Sequence, residues 1–133
     1  MVTSSRPPAG RVLVIDDDVG VGRVLQRSLR GHDVVTVSSG REALDLLATG
    51  ATFDVIFCDL AMPGLAGPDV HAALQKTMPE VCDRMIFMTG GAFTPRSEEF
   101  ARTTTCALVD KPFDIKALRA LVAARVAARA RDQ

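Results

Sequence analysis

Five side chains in this sequence are of types that do chemistry together: Asp16, Asp17, Asp59, Thr89 and Lys111. Each lies at or just past the end of a short apolar run. Arg11 to Ile15 leads into the first two aspartates, Phe53 to Cys58 into Asp59, Arg84 to Met88 into Thr89, and Cys106 to Val109 into Asp110 and Lys111. A lone aspartate at such a place is explained as well by a helix cap or a turn. Several run ends carrying carboxylates, a hydroxyl and an ammonium point instead to a shared site. Three carboxylates within reach of one another repel, so the site calls for a cation. Oxygen-only ligands select a hard ion, and Mg2+ suits a few carboxylates plus water. Beside such a cation Asp59 can act as a nucleophile toward phosphorus and form an aspartyl phosphate. That reaction depends on positioning and charge stabilisation more than on covalent machinery. Lys111 would supply a positive point charge and Thr89 a hydroxyl donor for a phosphoryl oxygen. Gly90 and Gly91 are small enough to leave backbone N–H groups accessible nearby.

The elements that must position these groups can be read from the apolar pattern. The runs at 11–15, 33–37, 53–59, 84–89 and 106–109 are short, rich in β-branched residues and bounded by polar or glycine positions, as in strands of a parallel sheet covered on both faces. Between them lie helical patterns. Val21, Val24, Leu25 and Leu29 recur at helical spacing before Gly31. Ser39 and Glu42 form a capping box ahead of Ala43, Leu44, Leu47 and Ala48. Pro68 sits where a first helical residue belongs, Val70, Leu74 and Met78 follow, and Pro79 closes the helix. Thr94-Pro95 opens a short fourth helix ending near Arg102, and Asp114 caps a fifth with Ile115, Leu118, Leu121, Val122 and Val126 on its apolar face. Its arginines, Arg119, Arg125 and Arg129 among them, read as a solvated basic face. Strand and helix thus alternate along the chain, which specifies an α/β domain: a five-stranded parallel sheet, doubly wound. In such a sheet all strands point the same way, so the five chemical side chains emerge on one rim.

Composition narrows the function classes. At 133 residues the chain is one domain, with a leader or linker over 1–10 and the folded domain over 11–131. Basic and acidic residues balance at 16 each, so there is no bulk charge for nucleic acid or a membrane surface. No apolar stretch approaches the roughly 20 residues that span a bilayer. Cys58, Cys82 and Cys106 are odd in number and widely spaced, which suggests neither a disulfide frame nor a zinc site but buried thiols in a reducing cytoplasm. Gly20-Val21-Gly22 lacks the third glycine of a dinucleotide loop and follows three aspartates that would repel a pyrophosphate. His32 and His71 stand alone and read as surface or capping histidines, Met62, Met78, Met85 and Met88 as packing, and Asp18 as a helix cap rather than a ligand.

Four motifs, VIDDD at 14–18, DLAMPGLAG at 59–67, MTGG at 88–91 and DKPF at 110–113, occur in an order and spacing that resemble the receiver domain of two-component response regulators. The resemblance covers 11 to about 130 and implies a flavodoxin-like (βα)5 fold. It implies that Asp59 is the phosphoacceptor. Mg2+ would be held by Asp17, Asp59 and the backbone carbonyl of Ala61, with help from Asp16, while Thr89 and Lys111 would bind and report the phosphoryl group. It also implies a cis bond at Lys111-Pro112. The expected function is a phosphorylation-activated binding switch, not a turnover enzyme. Its donor would be the phosphohistidine of a sensor histidine kinase or phosphotransfer protein. Its output would pass through the face of the fourth helix, fifth strand and fifth helix to a downstream partner, to other domains of a longer parent chain, or into a phosphorylation-dependent dimer. The stretch after Lys111 suffices for one helix, so no effector domain is expected there. A single-domain regulator and the receiver of a hybrid sensor histidine kinase both fit, the latter suggested by Thr89 to Pro95, by DKPFD, and by a Ser4 to Gly10 leader that looks like an interdomain joint.

Two positions depart from the family pattern. Leu108 stands three before the lysine, where receivers usually carry an aromatic residue that turns inward when the hydroxyl residue moves. Ala66 stands where many carry Asp. Ala61 and Gly91 are small flanks, so water is expected to reach the acyl phosphate easily and shorten its lifetime. The Leu108 departure keeps a second reading open, a receiver-like scaffold that binds partners without phosphorylation. A phosphatase with an Asp nucleophile is disfavoured, because its acid–base Asp would stand at Ala61.

Overall fold

The computed structural model describes residues 9–90 and 94–131. Five strands, β1 (Arg11–Ile15), β2 (Asp33–Val37), β3 (Val55–Asp59), β4 (Met85–Thr89) and β5 (Ala107–Asp110), form one parallel sheet in the order β2-β1-β3-β4-β5. The helices are α1 (Val19–Ser28), α2 (Gly40–Ala48), α3 (Gly67–Thr77), α4 (Pro79–Cys82), α5 (Pro95–Thr103) and α6 (Ile115–Arg131). The expected α/β architecture is therefore present. The third helix ends at Thr77, just ahead of Pro79 as read, but one turn was not anticipated: Pro79 also begins the single turn α4, because proline suits a first helical position as well as a stop.

Position in the sheet follows burial. Every residue of β3 and β4 is buried, matching their unbroken apolar runs, whereas edge strand β5 alternates between half-buried and exposed. Side-chain alternation splits the core into two layers. Leu13, Ile15, Ile56, Cys58, Met85 and Phe87 pack toward α2, α3, α4 and α5, while Val12, Val14, Val55, Phe57, Ile86 and Met88 pack toward α1 and α6. Val24 departs from the expected helix face and is exposed, since α1 covers only one side of the sheet and Leu25 and Leu29 already fill that contact.

The caps account for where helices begin. Asp18 accepts from the Gly20 N–H at 2.9 Å, Ser39 from Glu42 at 3.1 Å, Thr94 from Ser97 at 3.1 Å, and Asp114 from Ala117 at 3.2 Å. The box at Ser39 closes differently from the expectation, because the Glu42 carboxylate bonds the Ser38 hydroxyl at 3.0 Å. At α3 the N-cap is Ala66, which has no side-chain acceptor, and Pro68 is the second helical residue. Asp69 partly compensates by accepting from the Ala66 N–H at 3.0 Å.

The arginines of α6 form the expected solvated face only in part: Arg119 and Arg131 are exposed, while Arg125 and Arg129 are half-buried. Arg119 donates to the Ser28 carbonyl at the end of α1 at 2.7 Å, and Arg129 pairs with Asp54 at 2.7 Å. Asp54 in turn accepts from the Arg11 N–H at 2.8 Å. Of the leader, residues 1–8 lie outside the described residues. Gly10 belongs to the fold: it is buried, its N–H donates to His32 Nδ1 at 3.0 Å and its carbonyl accepts from Asp33.

Candidate phosphoacceptor site

The register of the sheet gathers the chemical residues. Ile15 lies opposite Cys58, Asp59 opposite Met88, and Thr89 opposite Asp110. The exits of β1, β3, β4 and β5 therefore share one rim, at the point where the strand order reverses between β1 and β3. Asp16 and Asp59 are buried and Asp17 is exposed, and each offers a carboxylate oxygen within 4.8 Å of the others. Lys111 reaches into this cluster. Its Nζ is 2.7 Å from Asp16 and 3.6 Å from Asp59.

Glycines let these groups come so close. Gly67, at the head of α3, lies against the exit of β3, where an added Cβ would stand 2.7 Å from the Asp59 carbonyl oxygen. Gly90 has φ +149° and would bring a Cβ within 2.9 Å of Lys111 Cβ, so a side chain there would push the lysine off the site. Gly91 lies outside the described residues. The Lys111-Pro112 bond is cis, as expected.

Electrostatics set the resting state. Burial, followed by the Asp16 charge, pushes Asp59 up to about 6, against the opposing pull of Lys111 and the Ala61 N–H. Burial works to lower Lys111, but its bonds and charge pairing with Asp16 and Asp59 outweigh that and leave it raised. Cys58, directly before Asp59, is driven up by burial, then by Asp59 and Asp16, and is an inert thiol. The carboxylate trio is a donor set of the kind that could hold a hard divalent cation. Asp16, Asp17 and Asp59 fit Mg2+. For Ala61, the visible contact is its N–H toward Asp59.

Thr89 is brought to the rim but turned from Asp59. Its hydroxyl donates to the Asp110 carboxylate and lies 3.5 Å from the Val109 carbonyl. Asp110 is the functional candidate that the sequence pattern left aside; its place at the end of the last apolar run, directly before Lys111, was the available signal. Leu108 is 40% exposed on the same edge strand. His71 is half-buried rather than fully at the surface: its ring packs edge-on against Phe87 and Phe100 at 6.0 and 5.3 Å. Asp18 is the cap it was read to be. Cys58 and Cys82 are buried, while Cys106 is partly exposed, because β5 lies at the sheet edge.

The fold and site define a class: doubly wound α/β domains with an acidic, lysine-capped pocket at the switch point of the sheet. The match to the response regulator receiver domain over residues 12–123 is specific, and the chain belongs to that family. It is 31% identical over 114 residues to the sensor kinase CckA of Brucella abortus, covering 84% of this chain and 12% of that protein. It is 32% identical to the response regulator protein FleR of Pseudomonas aeruginosa, covering 86% of this chain and 24% of the relative. The chain thus spans less than a quarter of either. The receiver domain of the Francisella response regulator 1452 superposes with a TM-score of 0.70 at 28% identity, over 87% of this chain and 95% of that one.

Proposed function

We propose that this receiver is a phosphoryl-accepting switch with Asp59 as the acceptor. The observation that carries the reading is the trio of carboxylate oxygens within 4.8 Å with Lys111 drawn onto it. An Asp59 oxygen attacks phosphorus in line, forming the aspartyl phosphate as the P–N bond of a partner's phosphohistidine breaks and the imidazole nitrogen leaves with the electron pair. Bound Mg2+, held by Asp16, Asp17 and Asp59 and completed by the Ala61 carbonyl, would neutralise phosphoryl charge. Lys111 moves its charge from Asp16 toward the phosphoryl oxygens, and Thr89 donates its hydroxyl to one of them. The new charge shifts the population of the face formed by α5, β5 and α6, where a downstream protein, another domain of a parent chain or a second copy docks. The donor is a sensor histidine kinase or phosphotransfer protein, the setting is the cytoplasm, and the chain turns over no substrate of its own. An apolar groove beside the site, lined by Val21, Val24, Pro112, Phe113 and Ile115, suits the docking of a donor helix. Among the described residues no helix is long and apolar enough to cross a membrane.

The test is to incubate the chain with Mg2+ and acetyl phosphate or beryllofluoride. An adduct at Asp59, absent in Asp59→Asn, is expected. A wild-type chain that takes up neither reagent favours a constitutive scaffold, the reading that exposed Leu108 supports. Ala61 is small and partly exposed, so the acyl phosphate is expected to decay fast. A half-life of many hours, little changed by a bulkier residue at Ala61, would contradict that.

A further inference from the structure

Thr89 carries one hydroxyl proton, and in the resting protein it is donated to Asp110. The two residues are the last register pair between β4 and β5, and the hydroxyl donates to the Asp110 carboxylate. A hydroxyl has one proton to donate, so Thr89 cannot bond Asp110 and a phosphoryl oxygen together. The two bonds define two exclusive states. Because the acceptor at Asp110 is a carboxylate, the resting state is held by a charge-assisted bond.

Strand alternation extends the consequence. Thr89 shares a face of β4 with Phe87, and Asp110 shares a face of β5 with Leu108. Phe87 touches Phe100 of α5, with ring centroids 4.9 Å apart. Thr89 is only 8% exposed, whereas Asp110 is exposed. Asp110 thus joins a buried hydroxyl beside the acceptor to the open face of β5, two residues from a leucine that has no hydroxyl or ring to relay anything.

We infer that Asp110 is the readout residue of this receiver: it latches the Thr89 hydroxyl toward β5 at rest and is released as an unpaired carboxylate on the β5 face when Thr89 turns to the phosphoryl group. This deepens the proposed phosphoacceptor role and rests on it for the trigger. The resting latch stands independently. The output is then a carboxylate oxygen freed for a new partner, readable by a lysine or arginine of whatever docks on that face.

Three measurements test it. The first is the Thr89 χ1 angle from three-bond NMR couplings, without Mg2+ or beryllofluoride. Wild type is expected to hold one rotamer, Asp110→Ala to average several, and Asp110→Asn, which keeps a neutral acceptor, to fall between. The second is beryllofluoride binding with Mg2+. Loss of the latch is expected to tighten it about fivefold in Asp110→Ala, with no such gain when Thr89→Val is already present. The third is the Asp110 carboxyl carbon resonance, which should move on binding in wild type and stay in Thr89→Val. Unchanged Thr89 couplings in Asp110→Ala, or tightening that persists in the Thr89→Val background, overturns the latch. Failure of wild type to bind beryllofluoride overturns the phosphoacceptor reading and the trigger, and the couplings still judge the latch.

Discussion

Asp59 is held in conflict. Burial and Asp16 raise it from an ordinary 3.8 to about 6, so between those pH values the native chain binds more protons than the unfolded one. The sign follows: this group's cost is absent below about 4, grows as pH rises and is fully present above about 6. Asp59→Asn is therefore expected to be more stable than wild type by about 1–2 kcal/mol at pH 7 in a chelator. The gain should vanish near pH 4, as read by urea unfolding at both pH values. Lys111 relieves part of the conflict by occupying the oxygens a divalent cation would use. Lys111→Ala is expected to bind Mg2+ about three- to tenfold more tightly by calorimetry while accepting phosphoryl groups more slowly. Equal affinity would mean that the lysine is no competitor.

At the scale of elements, two features have measurable weight. Helix α3 begins at Ala66, whose backbone is extended as an N-cap requires but whose side chain offers no acceptor. Ala66→Ser is expected to add about 0.5–1 kcal/mol of stability, read from the urea midpoint at unchanged slope. Helix α6 is fastened at one end by Arg119 to α1 and at the other by Arg129 to Asp54. Arg129→Met keeps the apolar stem and removes the charge. It is expected to lose about 1 kcal/mol, because it breaks a pair whose side chains are only about a fifth exposed.

Across the whole molecule, what the sequence disclosed divides along a physical line. The strands and most helices were legible because sheet burial on both faces and helix burial on one leave periodic signatures. The shared rim followed from parallel strands alone, which is why Asp16, Asp17, Asp59, Thr89 and Lys111 could be grouped before any coordinates. Polar contacts between distant residues leave no period. Arg119 and Ser28 are 91 positions apart and Arg129 and Asp54 are 75 apart, so solvated arginines and tethered ones look alike in sequence. Thr89 and Asp110 were both visible, but the direction in which a hydroxyl points is a rotamer choice, set by which acceptor stands opposite it. The packing of half-buried His71 was hidden for the same reason: its helical position was clear, and its aromatic neighbours on β4 and α5 were not.

The strand order places the acceptor and the readout in regions of unequal rigidity. β3 lies mid-sheet with all five residues buried, and β5 is a four-residue edge with one unpaired side. Backbone amides of β3 should exchange with solvent only through global unfolding, and those of β5 through smaller local openings. The domain is therefore built to receive its signal on a buried central strand and display it on an edge strand that opens more readily. A ligand at Asp59 needs only to bias an opening that already occurs at the edge, and the amides of β5 should gain or lose protection well before those of β3 change at all.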